Sequence, residues 1–98
     1  MSISARIDIG TLVVSTPETC GGRPQIAGTR ISIAQIAVWN KQGLSTEEIL
    51  GEIPYLNLAQ VYAALSYYHA NRNEIEVDLA AEWVEYQRLE SEHRAGNL

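Results

Sequence analysis

Apolar residues recur along this chain in two rhythms, one of strands and one of helices. Leu12, Val13 and Val14 form a short run rich in β-branched residues that stops at Ser15, Thr16 and Pro17, which predicts a brief strand ending in a turn. After the loop Cys20-Gly21-Gly22-Arg23-Pro24, the pieces Gln25-Ile26 and Arg30-Ile31 flank Ala27-Gly28-Thr29 and predict a small hairpin. Strands this short do not stand alone in water, so they pack on helices or pair with a second chain.

Helical spacing takes over from Ser32. Ser32 is placed as an N-cap with Gln35 three residues on, so a first helix is expected from Ile33 to about Gln42, stopped by Gly43. Its apolar residues Ile33, Ile36, Ala37, Val38 and Trp39 spread wider than one core-facing stripe, and part of the helix is expected to meet another subunit. Ser45-Thr46-Glu47-Glu48 repeats the capping pattern for a short helix ended by Pro54. Asn57 caps a third helix from Leu58 to about Ala70, with Leu58, Val61, Tyr62, Leu65, Tyr68 and His69 on one face. From Asn73, Ile75, Leu79, Trp83 and Tyr86 recur every three or four residues amid glutamates, predicting an amphipathic fourth helix that frays near Gly96. Its stripe covers either the chain's own core or a partner.

The expected fold is therefore mainly α: a three-helix, homeodomain-like helix-turn-helix core with a short N-terminal β-hairpin and an additional amphipathic C-terminal helix. Residues 1–72 form the hairpin and helix-turn-helix domain and residues 73–98 the acidic helix. Ninety-eight residues with 46% hydrophobic and 19% charged side chains suit one compact core.

Charge alters the picture more by its distribution than by its total of −5. Residues 1–43 carry Arg6, Arg23, Arg30 and Lys41 against Asp8 and Glu18, whereas residues 44–98 set ten carboxylates against Arg72, Arg88 and Arg94. An overall acidic chain is not a general binder of phosphate backbones, and the asymmetry implies two surfaces with different partners or simply a solubilising Glu-rich helix. No apolar stretch approaches the length of a membrane span and Met1 to Ile9 lack the start of a signal peptide, so a cytoplasmic protein with no membrane association is expected.

Candidate chemistry is sparse. Cys20, His69 and His93 have neither nucleophile-base nor metal-ligand spacing, and Gly21-Gly22 lacks the rest of a phosphate-cradling loop, so no enzyme, metal or cofactor is expected. The Gly43 corner between two helices has helix-turn-helix spacing. In that reading Ala59, Gln60, Ala63, Ser66 and Tyr67 face outward on the third helix with Asn57 at its tip, although the helix has no Arg or Lys before Arg72. Arg30, beside a glycine turn, either ties a carboxylate or helix-end carbonyls of the core or contacts a phosphate.

The run Gly22-Arg23-Pro24-Gln25-Ile26-Ala27-Gly28-Thr29-Arg30-Ile31, followed by Gly43-Leu44-Ser45-Thr46-Glu47-Glu48-Ile49 and Pro54-Tyr55-Leu56-Asn57-Leu58, resembles the short bacterial and archaeal proteins of the domain-of-unknown-function 433 family. The likeness spans roughly residues 10 to 72. It implies a homeodomain-like helix-turn-helix protein and a dimer, acting as the antitoxin of a type II toxin-antitoxin pair whose toxin is a PIN-like ribonuclease. On this chain the likeness puts the DNA-reading helix at about Leu58 to Tyr68, and with the outward positions of that helix the expected DNA contacts are Asn57, Gln60, Ser66, Tyr67, Arg72, Arg23 and Arg30. The likeness leaves the acidic C-terminal helix as the toxin-facing segment, with contacts expected from its own stripe and carboxylates at Leu79, Trp83, Tyr86, Glu82 and Glu90, and the apolar pattern places a homodimer interface at Leu12, Val14, Ile36 and Trp39. The function expected is neutralisation of the toxin with autoregulation through operator DNA. The alternative is a homo-oligomeric adaptor module that touches no nucleic acid.

Overall fold

The computed structural model describes residues 6–96, with side chains described through residue 92; His93 and the start of the chain lie outside the described side chains. After a single 3-10 turn over Ile9–Leu12, the chain forms strand β1 (Val13–Ser15) and, past a second tight turn at Cys20–Gly22, strand β2 (Pro24–Ile26). Four helices complete the described chain: α1 (Ile33–Lys41), α2 (Thr46–Glu52), α3 (Leu58–Ala70) and α4 (Arg72–Gly96). The protein is mainly helical, with one small two-stranded sheet near its N-terminus.

The sheet is not the hairpin that the sequence predicts. β2 pairs antiparallel with β1, matching Val13 to Ile26 and Ser15 to Pro24, while only a lone bridge joins Gln25 to Ser32. The Ala27-Gly28-Thr29 turn does form: Thr29 N–H donates to Ile26 O at 3.1 Å and Gly28 sits at φ +77°. Beyond this turn the chain enters α1 almost at once, since Ser32 is already its N-cap, so no length of chain remains for a return strand. The sheet partner comes from upstream instead.

The helix ends obey local chemistry closely. Ser32 Oγ accepts from Gln35 N–H at 3.0 Å. α1 stops where Gly43 turns to φ +100°, with Gly43 N–H donating to Asn40 O and Leu44 N–H to Trp39 O, a paired closure that a side chain at position 43 would strain. Ser45 with Glu48, and Asn57 with Gln60, each form a reciprocal capping box. α3 and α4 are separated by the single non-helical residue Asn71, whose amide donates to Tyr67 O.

α1 is central: it touches β2, α2, α3 and α4. That placement accounts for its wide apolar surface without a second subunit, since Ile33, Ile36 and Ala37 are buried and Trp39 packs half-buried on the same cluster. Ile36 is 0% exposed, so it belongs to the chain's own core and not to the dimer interface expected of it. On α3 the buried arc is Val61, Ala64, Leu65 and Tyr68, joined by Ala63. Leu58, Tyr62 and His69, expected inside, face solvent, and Ala63, expected outside, is buried. The N-terminal segment and both strands also pack on α3, which turns its covered side away from the stripe that spacing alone selects. α4 contributes Ile75, fully buried, and Leu79, half-buried, then runs beyond the core. The molecule is correspondingly elongated, 67 × 28 × 25 Å.

Candidate protein-interaction groove

Where α4 leaves the core it overhangs the Cys20–Ser32 segment and the first turns of α1, leaving a groove of about 560 Å³. Leu79, Ile31, Val38 and Leu89 supply apolar walls, and Trp83 and Tyr86 stand at the α4 side. These two rings stack at 5.7 Å between centroids and 17° between planes, and each is 57% exposed. Folding alone does not require a Trp and a Tyr to share an exposed helix turn, because their apolar area is left in water.

Charge in the groove comes from both walls. Arg23 Nη1 lies 4.0 Å from Glu82 Oε2 and 3.9 Å from Glu85 Oε2, so one guanidinium faces two carboxylates without forming a close pair with either. Glu82 Oε1 accepts from Ser32 Oγ at 3.3 Å, while its buried Oε2 has no hydrogen-bond donor among the described residues. Burial pushes the Glu82 carboxyl above its ordinary range, against the opposing pull of Ser32 and Arg23. Asp78, one turn earlier on α4, is also pushed up by burial. Cys20 Sγ donates to Arg30 O at 3.2 Å, and burial raises its thiol, which keeps it in the unreactive protonated form.

The residues singled out from the sequence do not all converge. Leu79, Glu82, Trp83 and Tyr86 line the groove together, and Glu90 lies half-buried farther along α4. Arg23 and Arg30 line the same groove instead of standing beside the third helix. Arg23 is the arginine of this wall that faces carboxylates. The exposed Arg30 side chain makes no hydrogen bond or ion pair of its own among the described residues. Asn57 and Gln60 use their side-chain oxygens on each other's backbone N–H, at 2.9 and 2.8 Å. Ser66 is exposed; burial, with the hydrogen bond that the Tyr67 hydroxyl donates to Glu74 at 2.8 Å, raises that hydroxyl to about 12. Arg72 lies 5.3 Å over the Tyr68 ring and 3.1 Å from His69 Nδ1. Leu12 is half-buried and Val14 exposed on β1.

Glu85 and Leu89 belong to the groove and were not anticipated. Leu89 stands three residues after Tyr86, so one more step of the same periodicity reaches it. Glu85 carried no such signal, because its role depends on Arg23, which only the tertiary fold brings near. Among the described residues no group of three or more His, Cys, Asp and Glu is placed to hold a metal ion. No helix among them is long and apolar enough to cross a membrane.

Residues 13–68, from the first strand to near the end of α3, match the sequence model of the family described as protein of unknown function DUF433. The crystal structure of a DUF433 member protein from Anabaena variabilis ATCC 29413 superposes with a TM-score of 0.68 at 31% sequence identity. That match covers 71% of this chain and 69% of that one. No curated protein matches. The matched span holds the glycine-turn motif, both strands and the first three helices, and on that match this chain belongs to the DUF433 family.

Proposed function

We propose that this chain is a non-catalytic antitoxin that neutralises a PIN-like ribonuclease by laying the free part of α4 and the adjoining groove against it. The observation that carries the reading is the stacked, exposed Trp83–Tyr86 pair on a helix that continues past its own core. Exposed aromatics beside a concave apolar wall suit the anchor role that dominates protein association energies. Arg23 offsets part of the charge of the flanking Glu82 and Glu85, and the acidic remainder suits a surface that normally receives phosphates. In this proposal α1, α2 and α3 are a homeodomain-like helix-turn-helix frame that holds α4 in position.

The same chemistry favours a protein over operator DNA as the partner. Between Leu58 and Ala70 α3 has no Lys or Arg, and the Asn57 and Gln60 amides are engaged in the helix cap. A second reading, a self-associating adaptor, is favoured by β1, which pairs only with β2 among the described residues and carries exposed Val14.

Co-expression with the product of the neighbouring gene tests the proposal. Relief of that product's toxicity and a co-purifying complex, both lost in a Trp83→Ala/Tyr86→Ala double variant, are the expected results. A neighbour that is not toxic, or a complex indifferent to both substitutions, overturns it. Sedimentation showing a dimer that Val14→Lys dissolves, with no complex formed, selects the adaptor reading instead.

A further inference from the structure

A second unpartnered surface lies on α2 and α3, away from the groove residues. The solvent side of α3 presents Leu58 (40% exposed) and, one turn on, Tyr62 (53%), with Tyr55 (70%) in the turn that feeds the helix. The Tyr62 hydroxyl lies 3.3 Å from Thr46 Oγ1, which in turn donates to Glu47 at 3.1 Å, so this apolar strip is continuous with the start of α2. α2 adds Glu48 and Glu52.

The charge of this surface is uncompensated, whereas four carboxylates of α4 have cationic neighbours. On α4, Glu76 has Lys41, Glu82 and Glu85 share Arg23, and Glu92 has Arg88. Between Lys41 and Arg72 the chain contains no Lys or Arg, and among the described residues none of Glu47, Glu48 and Glu52 forms an ion pair. Exposed tyrosines beside carboxylates without counter-ions make a surface for a cation on an apolar stem: the ring faces attract the charge, the carboxylates pair with it, and Leu58 receives the methylenes.

We infer that the outward face of α2 and α3, built on Tyr55, Leu58 and Tyr62 with Glu47 beside Tyr62, docks a Lys- or Arg-bearing, partly apolar segment of another protein. Charge complementarity selects this occupant, since a phosphate backbone meets only repulsion there. The inference is independent of the α4 groove and stands or falls separately from the antitoxin proposal.

The test is an NMR titration of the full-length, isotope-labelled chain with three probes: a short amphipathic peptide of Lys, Leu and Ala, its counterpart with Glu for Lys, and a random-sequence DNA duplex. The Lys peptide is expected to shift the amides of Thr46, Glu47, Leu58 and Tyr62 saturably, and the other two probes to leave them unmoved. Leu58→Ser and Tyr62→Ala alter exposed side chains, and each should weaken the peptide by about tenfold. Glu47→Gln should weaken it severalfold and flatten its salt dependence. Shifts confined to residues 76–92, equal response to the Glu peptide or the duplex, affinity unchanged in the variants, or the same amides moving on concentration of the free protein each overturn the inference.

Discussion

Lys41 Nζ donates to both carboxylate oxygens of Glu76, at 2.9 and 2.8 Å, and so ties the last turn of α1 to the second turn of α4. The Tyr68 hydroxyl, from α3, donates to the same Glu76 Oε2 at 2.6 Å. Three helices thus meet at one carboxylate at the edge of the core, directly below the point where α4 departs. The junction adds polar contacts to a crossing that the burial of Ile75 and the packing of Leu79 already fix.

The junction has a pH signature. Its hydrogen bonds from Lys41 and Tyr68 hold the Glu76 carboxyl below its ordinary 4.5. A carboxyl lowered in the folded state binds protons more weakly there than in the unfolded chain, so its stabilisation is present above the ordinary range and is lost as pH falls through the lowered value. Urea unfolding at a series of acidic pH values should show that loss in the native chain and a flatter profile in Glu76→Gln. Tyr68→Phe, which keeps the buried ring, should cost about 0.5–1 kcal/mol at neutral pH. Parallel pH profiles for native chain and Glu76→Gln would count against the junction.

Glu82 should behave with the opposite sign. Burial raises its carboxyl above 4.5, so the folded state holds that proton more tightly than the unfolded chain does. Stability contributed this way falls as pH climbs from the ordinary Glu range through the raised value. Glu82→Gln retains the acceptor for Ser32 and should remove this decline, so its stability relative to the native chain should improve from mildly acidic to neutral pH. A constant difference between the two across that range would refute the assignment.

Core and groove residues should separate cleanly in unfolding experiments. Ile36→Ala and Ile75→Ala, at fully buried positions, should each cost about 3 kcal/mol. Trp83→Ala should change stability by no more than about 0.5 kcal/mol, because the indole is more than half exposed. A large loss of stability in Trp83→Ala would make the aromatic pair part of the fold and remove it as a docking anchor.

Helix ends supply the last prediction. Asn57→Ala breaks one half of the α3 capping box and should cost about 1 kcal/mol. Gly43→Ala places a Cβ at φ +100° in the α1 closure and should cost about 1 kcal/mol or more, although nothing stands within 4 Å of the new atom. Chemical denaturation of each variant measures both. Unchanged midpoints would mean that neither end is held as the hydrogen bonds imply.

Helices and their boundaries were legible in the chain because their causes are local. Ser32, Ser45 and Asn57 each reach a backbone N–H three residues away, and Gly43 ends α1 by its own backbone freedom. Family membership was legible for the same reason, since the glycine-turn motif and the capped helices that carry it lie in unbroken order along residues 13–68. Orientation was not. Whether Tyr62 or Ala63 faces the core depends on where the N-terminal segment and the strands settle on α3, and that contact has no local signature. The strand partner of Pro24–Ile26 was likewise decided by the immediate entry into α1, which left room only for β1. Arg23 meets Glu82 and Glu85 only because Ile75 and Leu79 lay α4 across α1. Hydrogen bonds over three or four residues close whatever the rest of the chain does, whereas pairings between distant residues exist only once burial has fixed how the helices cross.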